Sequence, residues 1–195
     1  MAYFQANNKT YFFLHIPKTG GKMLEQVFSA VDLKSGHEII TSKPEGYSFT
    51  IIRNPFDRLV SCFFYLKDGG CHVGDAEDAA RYDIPQNSFS DWIKLIATDP
   101  NHYFEQQHIM PMMTRIGKVE YFDKIVLFEN LTEETRWLHK EVFDQDIQDI
   151  PVVNQSSHKH FKEYYSEHTK NIVEKLYHDD IVLYEELKYG EAIQE

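Results

Sequence analysis

The chain has 195 residues, which suits a single domain spanning 1–195 with a full core, and its 42% hydrophobic and 26% charged residues are those of an ordinary soluble globular protein. No apolar run approaches the ~20 residues a membrane helix needs, no signal peptide is expected at the N-terminus, and two cysteines, Cys62 and Cys71, make no disulfide framework, so a reducing, cytoplasmic setting is expected. A net charge of −11 argues against nucleic acid and anionic membranes as partners, and any functional cations should be concentrated locally.

Tyr11-Phe-Phe-Leu-His-Ile16 reads as a strand that stops at Pro17. The turn Lys18-Thr19-Gly20-Gly21 comes next, and then a helix over about 20–31. A strand that breaks into a glycine turn and a helix can seat a phosphate: backbone N–H groups point at the anion, glycines allow close approach, and a lysine supplies full charge. The common nucleotide-triphosphatase loop requires Ser or Thr after Gly-Lys, to ligate magnesium. Here Met23 follows Gly21-Lys22, so the loop suits a phosphate-like group held without that metal ligand. The alternative is a plain βα turn carrying a surface lysine.

A short extended piece is expected near 36–40, then a central strand, Tyr47-Ser-Phe-Thr-Ile-Ile-Arg53. Asn54 as a cap and Pro55 at the first helical position open a helix over about 55–67, with Cys62 in its core. Ser61 falls about two helical turns beyond Arg53. Arg53 and Ser61 would hold a second phosphate from strand end and helix face; the competing reading is an Arg53–Asp57 pair and a small packing serine. Residues 68–87 are glycine- and acid-rich and read as a long loop of the kind that forms lids.

A capped helix is expected from Ser88, a short helix or turn near 101–109, a strand over Lys124–Phe128 and a helix over Leu131–Phe143. A loop is expected over 144–160, then a helix over about Phe161–Tyr177 and a short one over 179–188. Strands alternating with helices imply an α/β fold with a mainly parallel central sheet flanked by helices.

His15-Ile-Pro-Lys-Thr-Gly-Gly21 together with Ile52-Arg-Asn-Pro-Phe-Asp-Arg-Leu-Val-Ser61 closely resembles the sulfotransferases that use PAPS, the 3′-phosphoadenylyl sulfate donor. Within them it is most similar to the carbohydrate-type branch that includes the heparan sulfate 2-O-sulfotransferases. His108-Ile-Met-Pro111, Phe128-Glu-Asn-Leu131, Val153-Asn-Gln-Ser156 and Tyr177-His-Asp-Asp180 resemble later family landmarks more weakly. The resemblance implies a P-loop NTPase-like sulfotransferase fold, PAPS as donor, PAP as product, no required metal, and a hydroxyl-bearing acceptor, a carbohydrate first.

Carried over residue by residue, Lys18, Thr19, Gly20 and Gly21 would cradle the 5′-phosphosulfate, and Arg53 and Ser61 would read the 3′-phosphate. Lys22-Met23 departs from the family's usual Thr-Ser, and Lys22 would add a phosphate contact or displace the donor. Lys18 would neutralise charge growing on the leaving phosphate. His37, in Ser35-Gly-His-Glu38, lies where related enzymes carry a Gly-His catalytic base, so it is the expected base. Its rivals are His15, which strand geometry disfavours, and Glu38. Asn154 and Ser156, with Ser157 and Lys159, would close a loop over the donor, or form a solvated turn. Arg58 would pair on the helix surface or assist the 3′-phosphate, and Gln106, Gln107 and His108 would line the acceptor pocket. The competing functions are a small P-loop kinase and a catalytically idle PAP-binding module.

Overall fold

The computed structural model describes residues 3–31, 33, 37–72, 74–150 and 158–190. In chain order the elements are β1 (Tyr3–Ala6), β2 (Lys9–Leu14), α1 (Gly21–Val27), β3 (Tyr47–Ile52), α2 (Pro55–Lys67), α3 (Asp75–Arg81), α4 (Phe89–Thr98), α5 (Pro100–Phe104), α6 (Met112–Ile116), β4 (Lys124–Leu127), α7 (Leu131–Phe143), α8 (Glu167–Leu176) and α9 (His178–Gly190). The chain divides into two compact units, a sheet unit of Met1–Arg53 with Met112–Gln155 and a helical unit of Asn54–Pro111 with Ser156–Glu195.

In the sheet unit the strand order is β1-β2-β3-β4. β2, β3 and β4 run parallel, with Phe13 beside Phe49 and Thr50 beside Ile125, while β1 pairs antiparallel with β2. Parallel strands are covered on both faces, which is why β2 and β3 read as nearly continuous apolar runs. The β1–β2 hairpin was not expected. Its turn is Asn7-Asn8, both at positive φ (47° and 59°), the geometry that a two-residue turn needs to match strand twist. Phe13 stacks on Phe49 with centroids 5.0 Å apart, and Phe4 stacks on Tyr11. Burying each such aromatic contributes roughly 1.5–3 kcal/mol. With Leu24, Phe28, Val126, Leu131 and Leu138 they form the core of this unit. Helix α1 is shorter than expected. It ends at Val27, and the chain continues as a single 3-10 turn, Ser29–Val31. Among the described residues of 36–40 there is no strand.

The helical unit is built around Trp92, Phe63, Phe89, Tyr103, Ile109 and Tyr177. Its helices start where the sequence places caps. The Asn54 side chain accepts from the N–H groups of Phe56 and Asp57, and Ser88 accepts from that of Asp91. Ser166 forms a capping box with Thr169 that opens α8, so the expected 161–177 helix is a 3-10 turn followed by a separate helix.

The stretch 68–87 is not the open lid that its composition suggested. It contains α3, and Ala79, Tyr82 and Ile84 are buried in the core. The Asp75 carboxylate accepts from the Tyr65 hydroxyl (2.6 Å) and from the Cys71 and His72 N–H groups (2.8 and 2.9 Å). Arg58 is not a surface residue either. Its guanidinium donates to the His108 and Met110 carbonyls, both at 3.1 Å, satisfying two acceptors inside the unit. Gln106 is likewise buried, bonded to Asp78 and His108 rather than lining an open pocket.

Candidate functional site

At the carboxyl end of β2 the backbone changes hand twice. Lys18 has φ 69° and Gly20 φ 90°, while Thr19 between them is not left-handed. Left-handed geometry costs an L-residue roughly 1–2 kcal/mol, so Lys18 holds strained backbone where no glycine relieves it. Alternating hand aims successive N–H groups to one side, the arrangement of an anion-binding nest. Thr19 is fully buried, and its hydroxyl donates to the Ile16 carbonyl at 2.8 Å, which pins the turn from within. Gly20 is confined as well as left-handed: a Cβ there would collide with Leu131 and press on the Phe128 ring. A Cβ on Gly21 would enter the His15 ring. The two glycines therefore let the turn lie flat between α7 and His15. Lys22 stands half-buried in the first turn of α1, and Met23 is buried in the core.

Arg53 follows the last residue of β3. It is 9% exposed, donates to the Lys18 carbonyl at 3.1 Å, and lies over the Phe128 ring at 4.4 Å. Parallel pairing of β2, β3 and β4 thus delivers Lys18, Arg53 and Phe128 to one edge of the sheet. Open α/β sheets bind ligands at the carboxyl ends of their strands.

His15 and His37, both in the sheet unit, differ in use. His15 is 8% exposed, stacks on Phe13, and has Nδ1 4.0 Å from a Glu25 carboxylate oxygen. It packs against Phe13 one residue past the end of β2, not inside the strand as expected. His37 is exposed, with Nδ1 2.8 Å from the His15 carbonyl and the two rings 4.7 Å apart. A carbonyl only accepts, so Nδ1 carries the proton and Nε2 of the neutral ring carries the lone pair. Glu38 beside it is half-buried.

Lys18, Thr19, Gly20, Gly21, Lys22, His37 and Arg53 therefore all belong to the sheet unit. Ser61 belongs to the helical unit, on α2. It is 2% exposed, and its hydroxyl has no hydrogen-bond partner among the described residues. A buried hydroxyl without a partner costs roughly 1–3 kcal/mol, which a ligand oxygen would recover. Asn154 and Ser156, expected to close over the site, lie outside the described residues. Two contributors escaped the sequence reading. Phe128 carries the guanidinium of Arg53, and Arg115 donates to the main-chain carbonyl of His37.

The chain belongs to the sulfotransferase family, whose model matches residues 1–189. No curated protein and no solved structure gives a significant match.

Proposed function

We propose that this chain transfers a sulfuryl group from PAPS to a hydroxyl of a carbohydrate, with His37 as general base, in the manner of the heparan sulfate 2-O branch. One observation carries the reading: the strained Lys18 turn and the end of β3 at Arg53 are tied to each other by a hydrogen bond, within one unit. The nest-like turn over Lys18–Gly21 supports the fit to the 5′ end of PAP. In this reading Lys18, with the N–H groups of Thr19, Gly20, Gly21 and Lys22, holds the 5′ end in a P-loop-like cradle. Arg53 and Ser61 are assigned to the 3′-phosphate, and Asn154 and Ser156 to the closing loop.

The donor supplies an activated sulfuryl group; the residues supply charge, alignment and a proton acceptor. Lys18 sets a full positive charge where the leaving phosphate gains negative charge, and the turn's N–H dipoles add to it without reorganising. Nε2 of His37 takes the acceptor's hydroxyl proton as the new O–S bond forms, while Nδ1–H stays on the His15 carbonyl. Met23, buried and lacking an oxygen, gives a magnesium-dependent kinase no ligand at the position where that loop needs one.

Thermal unfolding with PAP, compared with ATP plus magnesium, tests this reading. PAP at 100 times its Kd should add about 2.7 kcal/mol of apparent stability. A shift with ATP–magnesium alone would remove the proposal.

A further inference from the structure

Residues 37–41 have no regular secondary structure, yet their main chain is tied repeatedly to the segment 115–121. The Arg115 guanidinium donates to the His37 carbonyl. The Arg115 carbonyl accepts the Ile40 N–H at 2.8 Å, and the Tyr121 hydroxyl donates to the Thr41 carbonyl at 3.3 Å. Gly117, at φ 70°, completes the strap: a Cβ there would strike the Ile40 carbonyl, so both the hand of the turn and its closeness demand glycine.

Arg115 is 2% exposed. Burying a guanidinium is unfavourable unless its donors meet acceptors. A hydrophobic residue would fill the same volume without that penalty. Here the buried guanidinium donates to the main-chain carbonyl of His37, an exposed histidine. From the other side the His15 carbonyl holds the ring of that same histidine. Backbone and imidazole of His37 are thus anchored independently.

We propose that Arg115 is a positioning residue: through the His37 carbonyl it holds the 37–41 strap so that the imidazole keeps Nδ1–H on the His15 carbonyl and presents Nε2 as the proton acceptor. Gly117 is the second part of the same clamp. The inference rests on the reading of His37 as base. A shift of the strap by about 1 Å would cost on the order of 100-fold in turnover while donor binding persists.

Two measurements on the full chain separate the inference from the reading beneath it. The first is nitrogen-15 NMR of the imidazoles, with the His37 signals identified by their loss in His37→Gln. The wild-type ring should show the Nδ1–H tautomer, and Arg115→Met should release it to the mixture of an exposed histidine, with Arg115→Lys restoring part of the signal. The Arg115→Met protein must still give the PAP thermal shift. If it does not fold, Gly117→Ala displaces the same strap and takes its place. Retention of the wild-type tautomer in both variants overturns the inference.

The second is sulfuryl transfer from PAPS to desulfated heparan oligosaccharides. Arg115→Met should lower kcat about 100-fold with the KM for PAPS little changed. In a His37→Ala background it should add less than about twofold, because both changes remove one function. An equal loss in both backgrounds shows that Arg115 acts elsewhere and overturns the inference. Wild-type turnover in His37→Ala removes the base reading, whatever the tautomer measurement gives.

Discussion

The two compact units bury similar polar side chains and employ them differently. In the helical unit they go to backbone groups left over where helices end. Arg58 caps the His108 and Met110 carbonyls, Tyr177 donates to Ile109, Tyr165 to Phe56, and Asp75 gathers N–H groups of the 71–72 turn. In the sheet unit Thr19, Arg53 and Arg115 instead bond irregular stretches, the turn after β2 and the strap at 37–41, while Ser48 bonds Tyr121 and Asp123 near the start of β3. A helix consumes its own backbone donors and acceptors except at its ends, so buried polar groups there are satisfied locally. A parallel strand ends abruptly, and side chains must shape the turn beyond it. Ser61 breaks the pattern, being a buried hydroxyl of the helical unit with no partner among the described residues.

The contrast can be broken most severely at Lys18. Lys18→Ala should lower sulfuryl transfer by about 10²–10³-fold and shrink the PAP thermal shift. Lys18→Gly should be equally inactive yet melt higher than the alanine variant, because glycine relieves the left-handed backbone, by roughly 1 kcal/mol or more. Equal melting of the two would show that the turn is not strained.

Arg58→Met should act on the other unit and on folding. Losing two charged hydrogen bonds inside a buried cluster should cost about 2–4 kcal/mol, read as a fall in the urea midpoint. The protein that remains folded should bind PAP as before. An affinity loss as large as that of Arg53→Met would erase the distinction drawn between the two arginines.

The smallest effects concern acid stability. Burial pushes the Asp75 carboxyl up, but the Tyr65 hydroxyl and the His72 and Cys71 N–H groups outweigh it and hold it below its usual range. Burial opposes Asp123 in the same way, and the Ser48 N–H and hydroxyl and Lys43 bring it down. A carboxyl held low stabilises the fold above the unfolded value of about 3.9, and that stability is lost as pH falls through the folded value. Asp75 is 3% exposed and the Asp123 side chain 31%, so water screens the second more. Asp75→Asn should therefore lose about 1–3 kcal/mol at pH 7, Asp123→Asn less, and each should flatten the acid limb of the stability curve.

Much of the architecture was legible because its signals are local. The apolar runs of β2 and β3, the Asn54-Pro55 start of α2, Ser88 before α4 and the 131–143 periodicity each specify an element over a few residues, and all appear. The β1–β2 hairpin was legible in principle, since Asn7-Asn8 is a turn signal, but β1 has only four residues and one buried side chain. The lid expected at 68–87 misled because glycines and acids read as solvated loop, whereas Asp75 directs its charge inward at N–H groups 71 and 72.

Residue order alone was enough to nominate Lys18–Gly21, Arg53 and Ser61 as candidates, because each lies in a contiguous motif legible by residue type and spacing. It was also enough to nominate His37. It held no trace of Arg115 on the His37 carbonyl, of Phe128 beneath Arg53, or of Gly117 against Ile40, contacts that span tens of residues. Such partners become neighbours only when parallel strands and their crossovers fold back, and neither hydrophobic period nor turn chemistry encodes which distant side chain will meet a given carbonyl.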